Sequence, residues 1–269
     1  MPEGHTLYRL ARDQTLLFAG RPVHVTSPQG RFDAGAALLD GRVLDEVFSY
    51  GKHLFARFGG DHLHVHLGLY GTYTTGTGTP PPAKGALRMR WEADGADGAG
   101  VWTDLRGPTA CEVLSTPEVD RILDRLGPDP LRPRADGTPA LRRISGSRTA
   151  IGALLMDQSV LAGVGNVYRA ELLFRHQVSP FRPGRQVDAE LWGRMWPDLV
   201  TLMRSGVRMG RIVTTRPEDR SRRSGAVRRD DAHYVYRRTG LPCRVCGTEV
   251  QTQVMVGRNL YWCPVCQAV

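Results

Sequence analysis

The first residues of this 269-residue chain, Met1-Pro2-Glu3-Gly4, carry groups suited to covalent chemistry. Once the initiator methionine is removed, Pro2 becomes the amino terminus and its secondary amine is free. Such a nitrogen can attack a sugar C1′ or an aldehyde and form a charged iminium directly, as lysine amines form Schiff bases. Glu3 adds a carboxyl group for proton transfer beside that amine. Taken alone, the same start is also typical of a plain flexible terminus.

Four cysteines near the carboxyl end form two C-x-x-C pairs, which are separated by sixteen residues. This spacing fits a tetrahedral Zn²⁺ bound by four thiolates, with no open coordination position for chemistry. We therefore predict one structural zinc ion, bound by Cys243, Cys246, Cys263 and Cys266. The residues between the pairs predict a strand, a turn and a second strand, with Arg258 at the turn.

The charge of the chain is strongly basic, with 36 Lys+Arg against 27 Asp+Glu and a formal net charge of +9. Only Lys52 and Lys84 are lysines. Arginine favours planar, forked contacts to phosphate, so the composition indicates a nucleic-acid partner. Residues 204–238 hold eleven arginines against four carboxylates. This segment is typical of a loop ordered by nucleic acid, and a merely solvated loop is the alternative.

The amino-terminal half is predicted to be an antiparallel β domain. Apolar residues at helical spacing first predict one amphipathic helix over residues 5–19. From residue 23 to residue 113 the pattern changes to short alternating runs broken by Gly, Pro and Asp, which favours a β-sandwich. Two of these runs predict a hairpin with Lys52 at its tip. Residues 74–85, rich in Thr, Gly and Pro, predict an exposed loop.

Three histidines, His62, His64 and His66, alternate with apolar residues and share one face of a predicted strand. Such spacing can form a metal triad, but no carboxylate or cysteine joins it at close spacing. An ordinary half-buried strand is therefore favoured over a second metal site. The strand leads into a turn between glycines that offers Leu69 and Tyr70. These two side chains are either ordinary core or a wedge that fills the gap left when a base leaves its stack.

Helical spacing replaces the β pattern after residue 134. An apolar stripe from Ile151 to Ala162 predicts one helix, and Gly163-Val164-Gly165 breaks it before a second helix that runs through Arg175. Asn166 is predicted to cap this second helix. A turn of this kind exposes backbone N–H groups at a helix N-terminus, where a DNA phosphate is favoured. A purely structural turn is the alternative.

The architecture predicted from these segments is a multidomain α+β protein. A proline-rich stretch over residues 127–134 marks the main boundary. We predict an N-terminal catalytic antiparallel β-sandwich with flanking helices at 1–131, a helical DNA-binding domain at 132–238 and a zinc finger at 239–269. The sequence has no apolar run of eighteen residues and no basic leader followed by apolar residues. A cytoplasmic protein without a membrane span is expected.

Four motifs in the correct order resemble the formamidopyrimidine-DNA glycosylase/endonuclease VIII family, and within it the endonuclease VIII branch. They are Met-Pro-Glu-Gly at the start, Gly51-Lys52, the run 152–166 with its two-glycine turn, and the terminal zinc hairpin. The resemblance covers nearly the whole chain. It implies a helix-two-turn-helix domain and a bifunctional DNA glycosylase/AP lyase of base excision repair, which acts through a Schiff base and nicks DNA by β,δ-elimination.

The resemblance also implies a role for individual residues. Pro2 would be the nucleophile, Glu3 the proton donor and Lys52 a catalytic and DNA-contacting residue. Asn166 and Arg258 would bind phosphates beside the lesion, and Arg258 would also assist δ-elimination.

The DNA partner implied by the resemblance is double-stranded DNA with oxidised bases or abasic sites, bound by a monomer. Leu69 or Tyr70 would occupy the vacated stack when the damaged nucleotide rotates out of the duplex. The reaction would need no catalytic metal.

Two departures from the family pattern concern the choice of substrate. His5-Thr6 stands where many members have Pro-Glu, and residues 213–232 show no clear match to the loop that covers an oxidised guanine in the purine-specific branch. Oxidised pyrimidines are therefore the expected substrates. A formamidopyrimidine-type glycosylase for oxidised purines and a non-catalytic zinc protein that binds damaged DNA are the alternatives.

Overall fold

The computed structural model describes residues 2–95 and 98–268. The chain divides into two compact units, Met1–Arg125 and Leu126–Val269. The finer division at residues 131 and 238 stays a prediction. Among the described residues, no helix combines the length and the apolar character needed to cross a lipid bilayer.

The helices and strands follow one another in chain order. The α-helices are α1 (Gly4–Phe18), α2 (Asp33–Leu39), α3 (Thr116–Leu123), α4 (Thr138–Ser145), α5 (Ile151–Leu154), α6 (Asn166–Arg175) and α7 (Ala189–Met209). The strands are β1 (Pro22–Thr26), β2 (Arg42–Val43), β3 (Glu46–Tyr50), β4 (His53–Phe58), β5 (Asp61–His66), β6 (Thr72–Thr77), β7 (Leu87–Asp94), β8 (Gly100–Arg106), β9 (Ala110–Ser115), β10 (Gln251–Met255) and β11 (Arg258–Trp262). Short 3-10 helices cover Gly184–Gln186 and Pro217–Asp219.

The first unit is built on two antiparallel sheets. Their strand orders are β2-β1-β7-β8-β6 and β3-β4-β5-β9. Alternate residues of both sheets enter one buried apolar core, in which Trp91 of one sheet makes an edge contact with Phe58 of the other at 5.9 Å between ring centroids. The predicted antiparallel β-sandwich with flanking helices is confirmed.

The helix α1 is fixed to the second of these sheets. Leu7, Ala11 and Phe18 recur at helical spacing and are buried, as the sequence predicts. In addition, the Thr15 hydroxyl donates to the Val47 carbonyl and accepts the Val47 N–H, both at 2.9 Å. Side chain and backbone therefore hold α1, and with it the amino terminus, against β3.

The predicted exposed loop over residues 74–85 is wrong for its first part. Residues 74–77 belong to β6, which pairs with β8. Threonine is β-branched and suits a strand once a partner is available. At Gly76 a Cβ would lie 2.4 Å from the Trp102 ring, so this glycine permits close packing and does not end the strand. Residues 78–86 are the part without helix or strand.

The predicted helix from Ile151 to Ala162 is also much shorter than expected. The α5 helix ends at Leu154, and turns lead to Gly165. Asp157 accepts the Ser159 N–H at 2.8 Å, and Gln158 accepts the Gly163 N–H at 3.0 Å. These side chains offer the backbone partners that replace helical hydrogen bonds.

The α7 helix begins after a capping aspartate and ends at a glycine, as helices commonly do. The Asp188 side chain accepts the Leu191 N–H at 2.8 Å, and Gly210 follows the last turn with φ +67°. Proline within a helix predicts a kink or a new start. The helix is continuous through Pro197, so a new start at this position does not occur.

The carboxyl-terminal hairpin consists of β10 and β11, as the sequence predicts, and Met255 pairs with Arg258 across the turn. Its small core is shared with α6, where Phe174 stacks on Tyr234 at 4.7 Å between ring centroids. The hairpin is therefore packed on the helix that follows the two-glycine turn.

Candidate functional site

The amino terminus places a buried carboxyl group beside Pro2. Glu3 is 0% exposed and precedes the first residue of α1, and its carbonyl accepts the Thr6 N–H at 2.8 Å. Pro2 is half-buried. Burial lowers the pKa of His5 to about 4, so this neighbouring imidazole is neutral at pH 7. The start of α1 therefore places a carboxyl group that solvent does not reach at the residue after Pro2.

Lys52 lies in the two-residue turn between β3 and β4, where the hairpin prediction placed it. Tyr50 pairs with His53 across this turn. Gly51 has φ +57°, which suits the first central position of a tight hairpin turn. The Lys52 side chain is half-buried. The turn therefore fixes the backbone from which the ammonium group extends.

The glycine turn after β5 presents the two predicted wedge residues. Leu69 is 37% exposed and Tyr70 is 85% exposed. The Gly71 N–H donates to the Leu67 carbonyl at 2.9 Å. Gly68 has φ +63°, and a Cβ there would lie 2.2 Å from the Thr109 hydroxyl oxygen. Only glycine fits this turn without strain, and the turn holds two large side chains out of the core.

The strand register brings the Lys52 turn and the wedge turn to the same end of one sheet. His53, the first residue of β4, pairs with His66, the last residue of β5. Neighbouring strands lie about 4.8 Å apart, so the turns that contain Lys52 and Leu69 are adjacent. His66 strengthens this arrangement, because its Nδ1 accepts the Gly68 N–H at 3.2 Å.

In the second unit, Asn166 does not cap α6, contrary to the prediction. It is the first helical residue and Gly165 is the cap. The Asn166 side chain is 5% exposed, and its Nδ2 donates to the Asn259 carbonyl at 2.8 Å. Its Oδ1 accepts from Arg169, which is fully buried. Asn166 therefore joins the two-glycine turn to the zinc hairpin.

Arg258 was predicted at the hairpin turn, and the structure places it directly after that turn, as the first residue of β11. Its side chain is half-buried, and its Nη1 donates to the Gly257 carbonyl at 3.2 Å. Met255 lies opposite Arg258, at the end of β10, and its carbonyl accepts a hydrogen bond from Arg169 Nη1 of α6 at 3.4 Å. The buried Arg169 guanidinium thus bonds to the backbone on both sides of the turn, at Met255 and Asn259. These bonds fix the backbone from which the Arg258 side chain extends.

Four sulphur atoms converge at the base of this hairpin. The ligand atoms of Cys243, Cys246, Cys263 and Cys266 all lie within 4.8 Å of one another. Two of the distances between sulphurs are 3.8 and 3.4 Å. Thiolates about 2.3 Å from one tetrahedral Zn²⁺ lie ~3.8 Å apart, so this set fits the ion. One structural zinc ion crosslinks the finger, and no position is left open for catalysis.

Part of the arginine-rich segment is held in place by Asp231. Asp231, which is buried, accepts from the Ser221 hydroxyl and forms an ion pair with Arg244 at 3.1 Å. Residues 222–226 between these anchors are exposed. A role for this segment in binding DNA stays a prediction.

Comparison with known proteins identifies the family. The family models described as formamidopyrimidine-DNA glycosylase N-terminal domain, formamidopyrimidine-DNA glycosylase H2TH domain and zinc finger found in FPG and IleRS match residues 1–111, 126–218 and 240–269. Endonuclease 8 1 of Mycobacterium tuberculosis is 53% identical over 273 residues, which cover 99% of this chain and 100% of that protein. The chain belongs to the formamidopyrimidine-DNA glycosylase/endonuclease VIII family. It is a DNA glycosylase and abasic-site lyase of base excision repair.

Other members of the family are more distant. The formamidopyrimidine-DNA glycosylase of Thermus thermophilus is 33% identical over 268 residues, which cover 99% of this chain and 97% of that protein. The solved complex of Lactococcus lactis Fpg with abasic-site DNA has a TM-score of 0.78 and 22% identity, and covers 99% of this chain and all of that chain. At this identity the likeness concerns the fold alone. The formamidopyrimidine-DNA glycosylase/endonuclease VIII fold therefore extends over the whole chain.

Three residues of the site escaped prediction because their partners are distant in sequence. Arg169 bonds to carbonyls about ninety positions away. Gln267 donates to the Val178 carbonyl at 2.9 Å and accepts the Cys263 N–H at 3.0 Å. Glu171, fully buried, accepts three successive backbone N–H groups from residues 234–236. The sequence offered only a weak signal for these residues. Arg169 and Glu171 are charged residues within an otherwise apolar helix, and Gln267 is an amide residue next to a zinc ligand.

Proposed function

We propose that this enzyme removes oxidised pyrimidines from double-stranded DNA and then cuts the strand by β,δ-elimination, using a Schiff base on Pro2. We propose further that it acts as a cytoplasmic monomer. The observation that carries the mechanism is the fully buried Glu3 carboxyl group next to Pro2, at the start of a helix fixed to β3. A carboxyl group shielded from water and adjacent to the nucleophile is suited to donate its proton to the bound substrate.

The first half of the reaction breaks the bond to the base. The Pro2 nitrogen forms a bond to C1′, and the damaged base leaves with the electron pair of the glycosidic bond. The proton of the Pro2 nitrogen passes to the departing base, Glu3 protonates the ring oxygen, and opening of the sugar leaves an iminium between Pro2 and C1′. Removal of Met1 is required, because only a terminal Pro2 has a free secondary amine.

The second half cuts the strand. The iminium acidifies the C2′ proton, and its loss expels the 3′ phosphate with the electron pair of the C3′–O bond. A second elimination expels the 5′ phosphate. We assign Lys52 to proton transfer and phosphate contact, and Arg258 to the phosphate that leaves in the second elimination. Asn166 is assigned to the phosphates beside the lesion, through the start of α6.

Substrate preference is the finer part of the proposal. The exposed pair Leu69 and Tyr70 is similar to the endonuclease VIII branch, and the relative that is 53% identical is named Endonuclease 8 1. Both observations favour this branch, for which we expect oxidised pyrimidines as substrates. The 33% identity to a formamidopyrimidine-DNA glycosylase keeps oxidised purines as the second candidate. Excision assays on matched duplexes with thymine glycol or 8-oxoguanine distinguish the two. Faster excision of 8-oxoguanine would reverse the assignment.

The nucleophile is tested by borohydride trapping on abasic-site DNA. We expect the active protein to begin at Pro2 by mass spectrometry and the crosslinked peptide to carry DNA on that residue. Protein that retains Met1 should give no crosslink on Pro2, because the Pro2 nitrogen is then part of a peptide bond. A crosslink on Lys52 alone would overturn the proposed mechanism.

The wedge is tested by Leu69→Ala. This variant should keep affinity for abasic-site DNA within about twofold, yet lose about tenfold or more in excision from duplex, because base extrusion costs a few kcal/mol. Leu38→Ala is the control, since Leu38 is a 50% exposed leucine on α2 to which no role is assigned. If Leu69→Ala excises bases as fast as the parent, the wedge lies elsewhere.

The contact from the hairpin is tested by Arg258→Ala. We expect weaker binding to every DNA sequence and a salt slope reduced by about 0.9, the value for one lost phosphate contact. Arg194→Ala serves as control, because Arg194 is an exposed α7 arginine paired with Glu190 at 2.6 Å. An unchanged salt slope in Arg258→Ala would exclude the phosphate contact.

A further inference from the structure

A line of hydrogen-bonded side chains extends from solvent to the Lys52 turn. Glu112 Oε1 lies 2.9 Å from His64 Nδ1, and His64 Nε2 lies 2.9 Å from His53 Nδ1. His53 is the residue after Lys52. Glu112 is 53% exposed and His64 is 5% exposed, so the line begins in water and passes through a buried ring.

The sheet register builds this line from three strands. Glu112 of β9 pairs with His64 of β5, and His64 pairs with Phe55 of β4. The His64 ring stacks on Phe55 at 5.0 Å and on His53 at 5.1 Å between centroids. Aromatic packing therefore fixes the ring planes that the two hydrogen bonds require.

The hydrogen bonds determine where each proton sits. The Glu112 carboxylate only accepts, so His64 carries its proton on Nδ1 and accepts at Nε2. His53 must then donate from Nδ1, which leaves the lone pair of its Nε2 free to receive a proton. Both rings are neutral, because burial lowers the pKa of His64 and is the main cause that lowers the pKa of His53 to about 3.

The charged surroundings favour neutral rings. After burial and the neighbouring His64 and His66, the charges of Arg125 and Lys52 also lower the pKa of His53. His66, from the end of β5, faces His53 at 5.1 Å between ring centroids and is also kept neutral by burial. A path through such rings works only if a proton enters at one end as another leaves.

We propose that Glu112, His64 and His53 form a proton path that connects the Lys52 turn with solvent during the lyase reaction. This inference rests on the proposed function, in which elimination releases the C2′ proton while DNA covers the site. A proton enters at His53 Nε2, the Nδ1 proton of His53 passes to His64 Nε2, and the Nδ1 proton of His64 passes to Glu112. Glu112 releases it to water.

In this transfer one proton enters at His53 and one proton leaves from Glu112. Neither buried ring keeps a charge, so the desolvation cost of a buried imidazolium is avoided. Reverse transfer from solvent returns a proton to the Lys52 turn and restores the starting tautomers. The three residues act through the catalytic turn and are positioning residues in the reaction.

His62 provides a matched control on the same strand. It lies two residues before His64 and on the same face, and the two residues are 5% and 4% exposed. His62 lies outside the line of hydrogen bonds from Glu112 to His53. His64→Gln and His62→Gln therefore make the same chemical change at similar burial, and an amide can hydrogen-bond but cannot pass a proton along.

The experiment measures single-turnover cleavage of DNA with a preformed abasic site. We expect His64→Gln to be slower by about tenfold, a part of the 10²–10⁴ that positioned proton transfer supplies, and His62→Gln to stay within about twofold of the parent. Imidazole added at constant pH and ionic strength should raise the rate of His64→Ala and leave His62→Ala unchanged. This response is the one expected of a proton-transfer defect.

Other outcomes separate this proposal from the proposed function. If the parent is trapped on Pro2 but His64→Gln and His62→Gln cleave at equal rates, the path is refuted and the Schiff-base mechanism stands. A slow His64→Ala that imidazole does not restore would also refute the path and give His64 a purely structural role. If the parent forms no borohydride-trapped complex on Pro2, the proposed function itself fails.

Discussion

Glu3→Gln is expected to slow excision of a damaged base by at least about a hundredfold, the lower range for a positioned proton donor. Cleavage of a preformed abasic site should fall much less, because its base is already gone and the aldehyde of its ring-opened form gives the iminium without protonation of the ring oxygen by Glu3. Glutamine fills the same volume, which matters at a residue that is 0% exposed, but it cannot donate a proton in the same way. Single-turnover rates on a lesion duplex and on an abasic duplex give the two values.

Two controls make this comparison decisive. Thermal unfolding of Glu3→Gln should match that of the parent, since the replacement leaves no cavity. Borohydride trapping on abasic-site DNA should persist, because Pro2 keeps its amine. Equal losses on the two substrates would contradict the assigned role and would instead indicate that Glu3 acts in a step common to both.

The sequence predicted the features that depend on local spacing. These features are the helix α1, the hairpin with Lys52 at its tip, the glycine turn at Leu69 and Tyr70 and the zinc hairpin with Arg258. The residues that specify each of them lie close together in the sequence. Periodicity, glycine at positive φ and paired cysteines act over such short distances. The β-sandwich could be predicted for the same reason, since apolar and polar residues alternate within its short strands.

The features that the sequence could not give depend on register and on distant partners. Alternation placed His64 on a strand face, but only the pairing of β5 with β9 brings Glu112 opposite it. Asparagine is a common helix cap, but the Asn166 side chain instead forms hydrogen bonds with the Asn259 carbonyl and with Arg169. Local propensity is a weak preference that tertiary contacts override.

The same reasoning explains why the second unit was predicted less well than the first. The stripe from Ile151 to Ala162 is apolar because its residues are buried, and burial alone does not require a helix. The side chains of Asp157 and Gln158 favour turns over a helix here, because they accept hydrogen bonds from nearby backbone N–H groups. Turns then carry the chain to the start of α6, where the contacts with the zinc hairpin are made.

Cys263→Ser is expected to release the zinc ion and to reduce DNA affinity by more than about a hundredfold, because structural zinc supplies ~10–16 kcal/mol of apparent binding free energy. The effect should extend into the helical part of the unit. Arg169 is fully buried and donates to the carbonyls of Met255 and Asn259, so loss of the hairpin leaves a buried guanidinium without these acceptors. Metal analysis, thermal unfolding and DNA binding should therefore all change together.

Cys111→Ser is the matched control for that experiment. Cys111 is half-buried at the edge of the first core, far in sequence from the four ligands, and burial raises the pKa of its thiol to about 12. A thiol that stays protonated is a poor zinc ligand, so this variant should retain one zinc ion per chain and the affinity of the parent. If Cys263→Ser retains full zinc or full DNA affinity, the ion does not hold the hairpin. The link from the thiolates through the hairpin and Arg169 to Asn166 would then be wrong.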